Sequence, residues 1–294
     1  MTMQRREWMQ VLAGAALATP LTAAGKPADW PQWRGVNRDG KSPETGLLKS
    51  WPEKGPAVAW HVKDLGSGYG SMSVVGNRVF LQGGTKPKSV VHCLDRATGQ
   101  KVWTIDLGRY RDQNRGDGPR GTPTVEGDKF YALSEDGDLI CANAEKGAEV
   151  WRKNILKEFN GSNPGWLISE SPLIDGQNLI VTPGGPDASI AALDKTTGAT
   201  KWTSKGVSDR AGYASCIAVN VGNVRVILAL TSKAGMRHHL PRGQHLRLFE
   251  CNLDVHGFQH GRCEVDRPRR RQGLHHVRRR TFLCAGRKAH HGFD

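Results

Sequence analysis

A single spacing, Asp/Asn-x3-Gly-x3-Trp, limits what this chain can fold into more than any other feature. It occurs three times: Asp95, Gly99 and Trp103; Asn143, Gly147 and Trp151; Asp194, Gly198 and Trp202. The copies stand 48 and then 51 residues apart, and a fixed period near 50 marks a repeat architecture. Each position has a physical task. The acidic or amide side chain can accept hydrogen bonds from backbone N–H groups ahead of it and so close a turn. The glycine takes the positive φ that a tight hairpin needs. The strand that follows carries Trp103, Ile105 and Leu107 to one face by its period of two. An indole on that face is large enough to fill the gap between neighbouring sheets.

More than the turn repeats. Residues 73–84, 123–137 and 172–185 each show apolar alternation, a glycine turn and a second apolar run, and each precedes one turn motif. Every unit therefore reads as four short strands in an antiparallel meander. Such a sheet cannot bury both faces alone, and radial stacking of four-stranded sheets gives a β-propeller. Residues 57–65 read as a lone closing strand with Trp60 in the tryptophan slot. A fourth unit opens at 212–233, where two strands are legible. The fold class is all-β: a partial β-propeller of four-stranded antiparallel blades, incomplete, with a disordered basic C-terminal tail.

The turn-plus-tryptophan signature resembles the pyrroloquinoline-quinone (PQQ) repeat, a tryptophan-docked propeller blade. The stretches 29–48, 116–133 and 165–185 are similar to an exported bacterial group of PQQ-like propeller proteins, and the resemblance covers residues 29–233. It implies a ring of more blades than are legible here, and export.

The N-terminus agrees with export. Arg5 and Arg6, the apolar stretch from Val11 to Leu21 and the small residues Thr22, Ala23 and Ala24 read as a signal peptide over 1–24. The paired arginines resemble a twin-arginine signal. The stretch is too short to span a membrane as a helix. The organisation that follows is an irregular lead-in over 25–56, the propeller fragment over 57–232 and an aberrant tail over 233–294. The expected location is periplasmic or extracellular.

Net charge is +14, which invites a nucleic-acid reading. Its distribution argues against one. Residues 233–294 hold 12 Arg, 2 Lys and 5 acidic residues, together with 9 of the 11 His and no Trp. The basic runs at 267–272 and 278–280 lack interleaved aromatics, and such runs are usually solvated. Cys251, His256, His260 and Cys263 approach zinc-finger spacing. In a tract so rich in His and Cys that match is expected by chance, and no metal site is assigned. The composition of the tail is what an out-of-frame reading of a GC-rich gene produces. A frameshift soon after Ser232 is therefore expected, which an alternative frame encoding further tryptophan-bearing blades would show. A truncated chain of this kind is expected to be a non-functional fragment that aggregates through open strand edges.

Two functions compete. One is a non-catalytic binding or assembly scaffold, with a protein or small-molecule ligand on the propeller face. The alternative is a quinoprotein alcohol dehydrogenase-like enzyme using PQQ and calcium. That class carries adjacent cysteines near the quinone, whereas Cys93, Cys141 and Cys216 fall one per unit. No catalytic residue is assigned. The innermost strands begin GYGS, RGTP, SESP and GYAS, which places Tyr69, Ser71, Arg120, Thr122, Glu170, Ser171, Tyr213 and Ser215 at or near the inner rim. Arg120, Ser171 and Tyr213 are the candidate ligand contacts, with Arg120 an anion contact. Trp60, Trp103, Trp151, Trp202, Gly99, Gly147, Gly198, Asp95, Asn143 and Asp194 are assigned to blade docking.

Overall fold

The computed structural model describes residues 28–240 apart from 115, 205 and 234, and of 235–240 the backbone alone. The signal-peptide reading of 1–24 and the zinc-like and basic motifs beyond 240 lie outside the described residues. Three antiparallel meanders of four strands follow one another. The first comprises β1 (Ser73–Val75), β2 (Arg78–Thr85), β3 (Lys88–Asp95) and β4 (Lys101–Arg109). The second comprises β5 (Thr124–Glu126), β6 (Lys129–Leu133), β7 (Asp138–Asn143) and β8 (Glu149–Asn154). A single turn of helix, α1 (Ile155–Glu158), is capped by Asn154, whose side chain accepts from Lys157 N. The third meander comprises β9 (Leu173–Asp175), β10 (Asn178–Val181), β11 (Ala191–Asp194) and β12 (Thr200–Thr203).

A fourth sheet contains β13 (Ile217–Val221), β14 (Val224–Leu230) and β15 (Gly235–Leu240). Here the structure corrects the sequence reading. β15 pairs antiparallel with β14 from Arg225↔Leu240 to Leu230↔Gly235, so the regular architecture runs past Ser232 and the fourth sheet has three strands. The ladder is made by backbone N–H and C=O groups, which every non-proline residue of 235–240 supplies. A second correction concerns residues 57–65, which form no ladder. This segment is held by single contacts: Lys101 Nζ donates to Asp64 O at 3.0 Å. His92 Nε2 donates to Leu65 O at 3.1 Å.

Each core cluster lies between two adjacent sheets. Phe80, Val91 and Leu107 of the first sheet meet Val125, Phe130 and Ile140 of the second. Tyr131, Leu139 and Cys141 of the second meet Leu179, Ala191 and Leu193 of the third. Ile180 and Ala192 of the third, with Ile190 just before β11, meet Ile227 and Ala229 of the fourth, with Cys216 just before β13. β6 and β7 depart from the alternation expected of a one-sided strand: both faces of the second sheet are covered, and four consecutive residues in each strand are buried.

The turn motif builds as its chemistry dictates. Asp95 Oδ1 accepts from Ala97 N and Thr98 N, both at 3.0 Å, and Asp194 Oδ1 does the same for Thr196 N at 2.9 Å and Thr197 N at 3.0 Å. Asn143 Oδ1 accepts from Glu145 N and Lys146 N. The bonds from Thr98 and Thr197 hold the two aspartates below the usual carboxylate range. Gly99, Gly147 and Gly198 sit at φ of 73°, 68° and 74°.

Candidate functional site

The tryptophans join sheet to sheet. The Trp60 ring lies on Gly99, Trp103 on Gly147 and Trp151 on Gly198, so each indole covers the turn of the unit after its own. Each ring nitrogen donates to a carbonyl of that turn: Trp60 to Arg96 O at 2.9 Å, Trp103 to Glu145 O at 2.9 Å, Trp151 to Lys195 O at 3.2 Å. A Cβ on any of these glycines would stand 2.7–2.9 Å from the ring. The missing side chain is what lets the indole close. Trp103 also stacks on Phe130 at 5.3 Å and 19°. Trp202 packs against the cluster between the third and fourth sheets.

The starts of the innermost strands form a second connection. Ser71 Oγ and Thr122 Oγ1 are 2.9 Å apart, Thr122 N donates to Ser171 Oγ at 2.8 Å, and Ser171 N donates to Ser215 Oγ at 2.8 Å. One hydroxyl from each unit thus bonds to the next. Ser171 is buried, and its hydroxyl serves this belt instead of facing solvent.

Arg120 is likewise engaged. Its guanidinium donates to Gly118 O at 2.7 Å and to Gly116 O at 2.5 Å, and it lies 5.8 Å from the centre of the Tyr69 ring. It clamps its own loop, which leaves the two amino groups turned to backbone. Tyr213 is different. Its hydroxyl accepts from Trp166 N at 3.1 Å, its ring meets the Trp166 ring at 5.2 Å, and it stays half exposed. The structure does not gather Arg120, Ser171 and Tyr213 into one cluster of contacts.

Two buried carboxylates were less visible in sequence. Glu170 occupies the place held by Gly70, Gly121 and Ala214 in the other units. That departure from the repeat is the signal. Its Oε1 accepts from Thr182 N at 2.7 Å, and burial pushes its pKa up to about 7. Glu135 Oε1 accepts from Ser89 Oγ at 2.7 Å and Arg111 N at 3.1 Å, and burial raises its pKa too. The other oxygen of each carboxyl has no protein partner.

The lead-in supplies the residue that sequence reasoning missed. Arg38 is buried and donates to Ser171 O, Pro172 O and, at 2.8 Å, Cys216 O. Desolvation lowers its pKa to about 10. Burial lowers the His92 pKa below the usual imidazole value. A carbonyl only accepts, so Nε2 carries the proton toward Leu65 O and Nδ1 accepts from Thr104 Oγ1 at 2.8 Å. Cys93, Cys141 and Cys216 are buried free thiols, and burial pushes the first two up to about 11.

On one side of these strand starts the loops leave two clefts. One, of ≈ 490 Å³, is lined by Asp112, Gln113, Asn114, Gly165 and Trp166. The other, of ≈ 520 Å³, shares Gln113 and Asn114 and adds Tyr69, Asp117 and the backbone of Gly66–Gly68. Among the described residues no group of three or more His, Cys, Asp or Glu is placed to hold a metal. No described helix is long and apolar enough to cross a membrane.

Comparison with known proteins gives one family and several relatives. A family model described as outer membrane protein assembly factor BamB matches residues 87–249. The quinohemoprotein alcohol dehydrogenase of Comamonas testosteroni is 32% identical over 124 residues, which are 39% of this chain and 17% of that protein. Outer membrane protein assembly factor BamB of Yersinia pestis is 29% identical over 119 residues, 40% of this chain and 28% of that protein. The chain thus spans under a third of the length of these curated relatives. Among solved structures, quinohemoprotein alcohol dehydrogenase ADHIIG of Pseudomonas putida HK5 superposes with a TM-score of 0.52 at 16% identity, over 77% of this chain and 40% of that one. That likeness supports the propeller fold.

Proposed function

The chain belongs to the PQQ-like repeat family described as outer membrane protein assembly factor BamB, and from that membership we propose that it is an exported, non-catalytic scaffold for binding or assembly. The hydroxyl belt carries the reading. Ser71, Thr122, Ser171 and Ser215 stand where a propeller enzyme would present polar groups to a substrate, and here they tie one blade to the next. Residues whose bonds are already made inside the fold stabilise a rigid platform and leave recognition to the loops above it. A protein partner on that platform is the natural counterpart, and the signal-like residues 1–24 and the family's description support a location in the periplasm or outside the cell.

A second reading has a specific observation in its favour, since one matched relative and the ADHIIG structure are quinohemoprotein alcohol dehydrogenases. The described residues do not fit PQQ and calcium well. Cys93 and Cys141 sit on two different sheets and Cys216 lies just ahead of β13 of another, and the buried carboxyls of Glu135 and Glu170 belong to separate units. Calcium takes six to eight oxygens from one converging set. Titration of the full chain with PQQ and calcium separates the readings. A scaffold yields neither a bound-quinone absorbance band nor dye-linked oxidation of a primary alcohol; appearance of both replaces the scaffold with the enzyme.

A further inference from the structure

We propose that two copies of this chain close one ring, the segment 57–65 of each pairing with β15 of the other. The inference concerns how the platform is assembled and goes beyond what it binds. It starts from a mismatch in strand count. The first three sheets have four strands each, and among the described residues the fourth sheet ends at β15, its third. Residues 57–65 are the reverse case, a strand-like segment that belongs to no ladder. One end of the array is a sheet short of its outer strand, and the other is an outer strand without a sheet.

The segment already lies as an outer strand does. Trp60 and Val62 are half-buried, while Ala59, His61 and Lys63 are exposed, the period of two of a strand on a surface. Trp60 and Val62 both rest on Gly99, and the indole donates to Arg96 O. Trp103 on β4 and Trp151 on β8 make the same joint with the sheet that follows theirs. The interface that recurs between sheets is therefore half built ahead of β1. The chain's own fourth sheet does not complete it. The core clusters join the first sheet to the second, the second to the third and the third to the fourth, and among the described residues none joins the fourth to the first. A second copy continues the interface, because the two ends of the array are complementary. Two such contacts about a two-fold axis satisfy both ends of both chains, whereas a contact that failed to close would run on as a filament. Pairing also covers the edge that β15 exposes.

The repeat supplies the register. In each complete sheet, the residue four after the first hairpin glycine pairs with a third-strand residue that in turn pairs with the tryptophan. These rows are Phe80, Cys93 and Trp103; Tyr131, Cys141 and Trp151; Ile180, Ala192 and Trp202. The same count from Gly222 reaches Val226, which pairs with His239. Trp60 of one copy then stands opposite His239 of the other. Antiparallel order sets His61 opposite His238 and Lys63 opposite Met236.

The test uses two single variants of the full chain, His61→Cys and His238→Cys, mixed and oxidised, with mass spectrometry of the linked peptides. The expected result is a 61–238 disulfide between chains, since directly opposed strand residues bring their Cβ atoms within bridging distance. Mixing Lys63→Cys with His238→Cys, two residues out of register, should lose the link. Sedimentation of the parent chain should give one species of twice the chain's mass. A monomer overturns the proposal, whether 57–65 stays unpaired or another segment of the same chain fills the edge of β15. So does a concentration-dependent series of larger oligomers, or a 61–238 bond that forms only within one chain carrying both cysteines. A dimer whose mixed variants fail to link, or link equally at 63, joins its copies elsewhere and overturns it too.

Discussion

At the scale of the residue, the glycine and the tryptophan of the motif are one device divided between two blades. Trp103→Ala removes a half-buried indole stacked on Phe130 and opens a void between the first and second sheets. The expected cost is about 3 kcal/mol, near the low end for aromatic truncation because the ring is only partly enclosed. Trp103→Phe should recover most of it and lose chiefly the bond to Glu145 O. Gly147→Ala attacks the same joint from the other side, since φ is 68° and the new methyl would meet the ring at 2.8 Å. Its cost should equal or exceed that of Trp103→Ala, and the double variant should cost less than the two combined. Urea unfolding of the four proteins in a double-mutant cycle checks this. Glu170 makes a prediction of opposite character. Its folded pKa of about 7 lies above the 4.5 of a free glutamate, so the folded state binds the extra proton between those limits. Stability from this group is therefore full below pH 4.5 and falls as pH rises through 7, by about 3 kcal/mol in the limit of a rigid site. Glu170→Gln keeps the acceptor for Thr182 N and carries no charge. It should flatten that slope and raise the urea midpoint at pH 8.

At the scale of the element, a blade is defined less by its own hydrogen bonds than by what it gives to the next one. The belt makes this measurable. Ser171→Ala leaves Thr122 N buried without its acceptor, at an expected cost of about 1–3 kcal/mol. Ser71→Ala, at the edge of the belt and less buried, should cost well under half as much; thermal unfolding of the pair decides. These elements also show what a sequence can reveal. The spacing of Asp95, Gly99 and Trp103 was legible because a turn and a period of two are local rules, and the three meanders follow from it. The turn of α1 was not, because Asn154 caps four residues whose apolar members, Ile155 above all, are held by the core between sheets two and three. β15 was hidden for a different reason: its arginine and histidine residues carry no alternation, and only pairing with β14 reveals it. Of the candidate site, Tyr213 was readable from the repeat of GYGS in GYAS, and Glu170 from its break with glycine. Gln113 and Trp166 were not, since the two segments carrying them obey no period and only the folded chain brings Gln113 to Gly165 O.

At the scale of the whole molecule, the segment called a lead-in on sequence grounds runs across all four sheets. Trp30 pairs with Val74 on β1 through two backbone bonds, Pro31 O accepts from Val125 N on β5, and Arg38 reaches the carbonyls of Ser171, Pro172 and Cys216 ahead of β9 and β13. Sheets that stack radially touch only their neighbours, so a strap that meets every innermost strand adds coupling that nearest-neighbour contacts lack. Arg38 is the far anchor of that strap. Its guanidinium is desolvated, and three carbonyls on two blades depend on its fork of donors. Arg38→Ala would leave those carbonyls without their cation in the interior, an expected loss of about 3–5 kcal/mol. Arg38→Lys should rescue little, because one ammonium cannot span both blades in the plane that the guanidinium occupies. The location of the damage tests the strap itself. Amide hydrogen exchange should accelerate first in β13 and β14, which Arg38 ties to the lead-in through Cys216 O, and least in β5–β8, which are packed on both faces and keep the bond to Pro31. Uniform acceleration across the four sheets would mean that Arg38 contributes only to global stability, and protection unchanged in β13 and β14 would mean that the strap does not couple the blades.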